Sequence, residues 1–156
     1  MALKETLKQK IEEHRPRTAK LVKEFGNVII DKVNIDQCIG GARDIRSLVT
    51  DISYLDPQEG IRFRGMTIPE TFAALPKAAG STYATVESFW YFLLTGEIPT
   101  QAQADAVVAE FKARRQVPEY VFTALRALPR DSHPMVMLSV GILAMQKDSN
   151  FAGYYN

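Results

Sequence analysis

A mainly α-helical fold with one small β-ribbon is predicted for this 156-residue chain. Three observations carry that prediction. Apolar residues recur at helical spacing towards both ends of the sequence. The pairs Thr67/Glu70 and Thr100/Gln103 have the spacing of capping boxes, which mark helix starts in the middle of the chain. Residues 50–64 alone read as two extended runs about a turn, and a lone ribbon is too small to define a sheet fold.

Leu3, Leu7 and Ile11, then Leu21, Val22 and Phe25, form an apolar helical stripe. Pro16 lies between the two groups, lacks an amide hydrogen and crowds the preceding turn. A kinked helix or two consecutive helices are expected, with an exit at Gly26-Asn27. The period then changes. Asp56-Pro57-Gln58-Glu59 followed by Gly60 has turn chemistry, so residues 50–55 and 61–64 are expected to form a hairpin. In an extended second run, Arg62 and Arg64 share one side and Phe63 takes the other. Beyond it, Thr67 opens a short helix that ends before Pro76. Thr85 caps a helix carrying Val86, Phe89, Trp90, Leu93 and Leu94, which Gly96 ends. Thr100 opens another that runs to about Arg115, and Pro118 begins one bearing Val121, Phe122, Leu125 and Leu128. From Ser132-His133-Pro134 onward, Met135 to Met145 are apolar around nearly the whole helical circumference. Such a helix is expected to be buried on several sides, by this chain or another. It is too short for a membrane span, which takes about 20 residues. Ser149 to Tyr155 reads as a further helix beginning.

Composition narrows the function classes. Apolar residues make up 46% and charged residues 24%, which argues against disorder and against a membrane-embedded protein. Nineteen Lys and Arg against eighteen Asp and Glu give no support to general nucleic-acid binding. The one cysteine, Cys38, permits no intrachain disulfide; lying between Ile35 and Ile39, it is expected to be buried. The N-terminal stretch lacks an uninterrupted apolar signal core, so a cytoplasmic protein is expected.

Reactive groups are sparse. His14 and His133 cannot supply a three-histidine metal site, and no nucleophilic triad follows from their positions. His14 is expected on a charged helix surface, and His133 at a helix start. Asp56 and Glu59 are explained by the turn, and the chain has no calcium-loop pattern. The run Phe89 to Phe92 is expected to serve core or interface packing. Gly40-Gly41-Ala42-Arg43 is neither a Walker A motif nor a dinucleotide fingerprint. Local chemistry leaves it open between a loop with a surface arginine and an anion contact, because a guanidinium fork suits phosphate oxygens.

The strings GGARDIRSLVTDISYLDPQEGIRFRGMTIPE, FWYFLLTGEIPT, LPRDSHPMVMLS and SNFAGYY occur in this order and span nearly the whole chain. Together they closely resemble the N-terminal region of citrate synthase, in its mitochondrial-type branch. The resemblance implies that residues 1–156 are an N-terminal fragment of the large helical domain of a homodimer. It implies a reaction joining acetyl-coenzyme A to oxaloacetate, in which a carboxylate takes a methyl proton and a histidine stabilises the enolate. The resemblance sets those catalytic residues outside this segment, so none is assigned here. It also implies no metal, no tightly bound cofactor beyond acetyl-coenzyme A as substrate, and neither nucleic-acid nor membrane partners. Arg43 matches the family arginine that approaches the phosphate-rich part of coenzyme A. The Asp44-Ile45-Arg46 that follows departs from the Gly-Met-Lys frequent in such relatives, and Asp44 weakens the local positive potential unless it is turned away. An interaction protein derived from the same fold, or a fragment of a methylcitrate synthase, is the alternative.

Overall fold

The computed structural model describes residues 3–154. The chain forms two compact units, the first ending at Glu110 and the second beginning at Phe111.

The first unit opens with α1 (Leu3–Phe25), one helix with Pro16 inside it. The two-helix alternative therefore does not hold. Pro16 deprives one carbonyl of its amide partner, but this part of α1 is exposed and water can take that place. Where α1 is anchored, Thr6 is buried and accepts a hydrogen bond at 3.1 Å from the Tyr91 hydroxyl. Lys10 pairs with Glu97 at 2.6 Å. The short α2 (Ile35–Ile39) follows. Cys38 on it is exposed, against the expectation of burial. A single-turn helix on the surface turns Ile35 and Ile39 outward as well, so its apolar residues do not mark a core.

A three-stranded antiparallel sheet replaces the expected two-stranded hairpin: β1 (Ser53–Asp56), β2 (Gly60–Phe63) and β3 (Met66–Thr67), in that order. Ser53 faces Phe63 and Leu55 faces Ile61, while Arg62 faces Thr67 across the second pair. The Asp56 carboxylate closes the first turn by accepting the amides of Gln58 at 2.8 Å and Glu59 at 2.9 Å. Those amide donors hold its pKa below the ordinary aspartate range. Arg62 and Arg64 do not share a strand face, because β2 ends at Phe63 and Arg64 turns left-handed at φ 49°. Arg62 instead pairs with Glu59 at 2.6 Å.

Thr67 ends β3 and caps α3 (Ile68–Ala74), with the reciprocal Glu70 contact that the sequence spacing predicts. Thr85 caps α4 (Val86–Thr95), and Gly96 closes it in the left-handed conformation at φ 76°. Thr100 and Gln103 exchange hydrogen bonds at the start of α5 (Gln101–Arg114). Leu75, Tyr91, Phe92, Ala104 and Val107 are buried, and Phe63 meets Phe89 edge to face at 4.9 Å between ring centres. Trp90, beside them on α4, is 48% exposed.

In the second unit, α6 (Glu119–Arg126) packs on α7 (Pro134–Met145), where Val121 and Leu125 approach buried Gly141. His133 caps α7, its Nδ1 accepting the Met135 amide at 3.2 Å. Tyr120 donates to Asp148 at 2.7 Å, tying α6 to the 3-10 turn Gln146–Asp148. A further 3-10 turn at Ala152–Tyr154 stands where another helix start was expected. Within this unit α6 covers only a strip of α7. Met135, Val136, Leu138, Ile142 and Leu143 are each more than half exposed, so this unit by itself does not supply the burial expected of that helix. No helix among the described residues is long and apolar enough to cross a membrane.

Candidate anion-contact loop

The loop bearing Arg43 is fixed from α2. Asn34 caps this helix by accepting the Gln37 amide at 2.9 Å, and the Gln37 side chain accepts the Asn34 amide at 3.1 Å. This is a capping box with Asn and Gln in its two places. The N-x-x-Q spacing carried that signal in the sequence, but five helical residues are too few to show an apolar period.

Chain reversal follows at once. Gly41, Ala42 and Asp44 take φ values of 77°, 62° and 57°. Gly41 adopts this region at no steric cost, whereas Ala42 does so against the preference of its side chain, and Asp44 belongs to a residue type that tolerates it. The main-chain carbonyl of Gln37 accepts the amides of Ala42 at 2.9 Å and Arg43 at 3.3 Å, and the Gln37 side chain donates to the Arg43 carbonyl at 3.3 Å. The Gly40 amide goes to Asp36 and the Gly41 amide to Cys38. Loop amides from Gly40 to Arg43 are thus spent on carbonyls and do not form an anion-binding nest. What the loop presents is the Arg43 side chain, which is exposed. Its guanidinium lies over Gly40. A Cβ at Gly40 would stand 3.5 Å from Nε and Nη2 of Arg43, an ordinary contact, and 3.1 Å from the Asp36 carbonyl, so a larger residue there would crowd that carbonyl. The two glycines therefore do different work: Gly41 permits the turn, and Gly40 keeps clear of the Asp36 carbonyl.

The other cations and histidines noted in the sequence are placed differently. Arg62 is held by Glu59 and the Gly65 carbonyl. Arg64 is directed inward to the end of α4, where it donates to the Leu93 carbonyl at 3.1 Å and 2.7 Å and pairs with Asp51 at 2.9 Å. His14 lies on exposed α1 beside a groove of about 510 Å³ that Arg17, Lys20 and the segment Val49–Asp51 also line. The ring of His133 is engaged as a helix cap. Chemically, the loop can offer a charge-assisted fork to an anion.

Residues 41–155 match a family model described as "Citrate synthase, C-terminal domain". Citrate synthase, mitochondrial, of Saccharomyces cerevisiae is 46% identical over 158 aligned residues, covering 99% of this chain and 33% of that protein. The probable citrate synthase, mitochondrial, of Caenorhabditis elegans is 41% identical, covering 98% of this chain and 33% of the relative. The 2-methylcitrate synthase, mitochondrial, of Yarrowia lipolytica is also 41% identical, with the same two coverages of 98% and 33%. The chain thus spans about a third of the length of the curated relatives it matches. These findings correct two expectations. The matched family model is that of the C-terminal domain, which overturns the assignment of this chain to the N-terminal portion of the enzyme and of its large domain. The relatives are mitochondrial by name, which overturns the cytoplasmic expectation.

Proposed function

The chain belongs to the citrate synthase family of acyltransferases, and from that premise we propose that the whole protein condenses acetyl-coenzyme A with oxaloacetate and water to give citrate and coenzyme A. The observation that carries this reading is the 46% identity to a citrate synthase over 99% of the chain. In this reading the protein works in mitochondria as a homodimer, and acetyl-coenzyme A is a substrate without any tightly bound cofactor. Arg43 contacts the phosphate-rich part of coenzyme A. Its exposure, its neighbouring glycines and the fork of donors it carries support that role. The described segment acts as scaffold and coenzyme contact, and by itself is catalytically inactive. His133 is engaged as a helix cap and His14 lies on the exposed face of α1, and the resemblance sets the family's catalytic residues outside this segment. The uncovered side of α7 is closed in the whole protein by other helices, including some across the dimer.

The test is coenzyme A release by the purified full-length protein supplied with both substrates. Turnover that needs oxaloacetate is expected, and none from the 156-residue chain above a matched blank. A full-length protein without oxaloacetate-dependent release would refute the assignment, and reproducible turnover by the short chain would refute its inactivity. A second reading rests on the relative named 2-methylcitrate synthase. It predicts preference for an acyl thioester one methylene longer, and comparing kcat/KM for acetyl- and propionyl-coenzyme A decides between the two.

A further inference from the structure

We propose that Gln37 is a positioning residue for Arg43, setting the loop from which the guanidinium meets the phosphates of coenzyme A. This rests on the coenzyme-contact reading of Arg43 given above. Gln37 grips the Arg43 peptide on both sides. Its main-chain carbonyl accepts the Arg43 amide at 3.3 Å, and its side-chain Nε2 donates to the Arg43 carbonyl at 3.3 Å. The carboxamide is itself oriented, because Oε1 accepts the Asn34 amide at 3.1 Å and leaves Nε2 for Arg43. Asn34, Gln37 and Arg43 therefore form one relay from helix cap to loop.

The loop has reason to need such a grip. Ala42 and Asp44, on either side of Arg43, hold left-handed torsions, which the Ala42 side chain disfavours and aspartate tolerates better, and Gly41 adds a third. Released, the segment gains access to ordinary torsions, and the Arg43 Cα no longer has one direction. A guanidinium on a fixed loop loses less conformational freedom on meeting a phosphate than one on a loose loop. Gln37 itself need not touch the ligand to act in this way.

The experiment is a double-mutant cycle in the full-length enzyme, reading KM for acetyl-coenzyme A, KM for oxaloacetate and kcat. Arg43→Ala is expected to raise the acetyl-coenzyme A KM by about tenfold or more. Gln37→Ala is expected to raise it by roughly three- to tenfold, a larger change than in kcat or in the oxaloacetate KM. Gln37→Glu keeps an acceptor for Asn34 but loses the Nε2 donor. It is expected to match Gln37→Ala, which separates the Arg43 contact from the stability of α2. Adding Gln37→Ala to Arg43→Ala should change nothing further. If Arg43→Ala has no effect, the coenzyme-contact reading fails and this proposal with it. If Arg43→Ala acts but the Gln37 variants do not, or if the Gln37 effect persists undiminished without Arg43, positioning by Gln37 is overturned and the Arg43 reading stands.

Discussion

Arg64 concentrates more of the structure in one side chain than any cation on the loop. Its guanidinium reaches the Leu93 carbonyl with two donors and the Leu94 carbonyl at 3.4 Å, while Nη1 pairs with Asp51. These carbonyls are the ones left open where α4 ends, and a cation there also opposes the negative end of the helix dipole. Gly96 suits its place by torsion: its left-handed φ excludes most other residues, while a Cβ there would make only an ordinary contact, 3.7 Å, with the guanidinium carbon. The side chain is 15% exposed, so its contacts are partly shielded from water. Lysine could supply the charge but not the planar fork. Arg64→Lys is expected to destabilise the fold by about 1–3 kcal/mol, measured by urea unfolding. An unchanged midpoint would show that the fork contributes nothing beyond its charge. The sequence reading put Arg64 within the second run of the hairpin and on the side of Arg62, whereas β2 ends at Phe63 and Arg64 turns away from it. The left-handed torsion that redirects it has no signature in an arginine.

At the scale of elements, the caps were the most legible feature. Thr67/Glu70, Thr85, Thr100/Gln103 and the Gly96 stop all stand where their spacing put them, because a cap needs only a few adjacent residues to be recognised. The third strand escaped notice for the opposite reason: Met66–Thr67 is too short for any period, and Thr67 already serves as the cap of α3. Nor does spacing reveal how helices are joined. Tyr91, fully buried on α4, donates to Thr6 of α1 and accepts from Gln103 of α5 at 2.9 Å. Tyr91→Phe removes the shared hydroxyl. A loss of about 1–2 kcal/mol is expected, with faster amide exchange in the first turns of α1 as the local readout. The α3 cap gives a pH prediction. Glu70 accepts the Thr67 hydroxyl and amide, both at 2.7 Å, and these bonds lower its pKa below the ordinary glutamate range. A carboxylate with a lowered folded-state pKa contributes stability that is present above its unfolded pKa and lost as pH falls through the folded one. Unfolding midpoints followed from neutral pH into that acid range should fall less for Glu70→Gln than for the parent chain. Parallel curves would remove Glu70 from the account. In α7, a Cβ on Gly141 would meet Leu125 and Val121 carbons at 3.8 Å, an ordinary contact. Gly141→Ala should therefore raise thermal stability by about 0.5–1 kcal/mol through helix propensity. A fall would mean that the α6–α7 packing cannot admit a methyl group.

Over the whole molecule, helical content and one small sheet were legible, whereas the extent of burial was not. The apolar surround of α7 signalled a need for cover, and in this chain Leu143 remains 73% exposed. An all-round apolar pattern states that a surface must be covered without stating by what. Chemical footprinting of the full-length protein is expected to find residues 135–145 protected, and high accessibility along most of that helix would sink the covered-helix reading. The loop divided along a similar line: Arg43 could be marked as a candidate beside its two glycines, while Gln37, whose side chain bonds the Arg43 carbonyl, was hidden in a helix too short to recognise. The position of Trp90 has a consequence for measurement. The chain has one tryptophan, and it lies in the first of the two compact units, half-exposed next to buried Tyr91. Its emission therefore reports on that unit, whereas far-ultraviolet ellipticity sums the helices of both. Superimposable melting curves from the two probes would mark a single cooperative transition, and a fluorescence curve displaced from the ellipticity curve would date the loss of each unit separately.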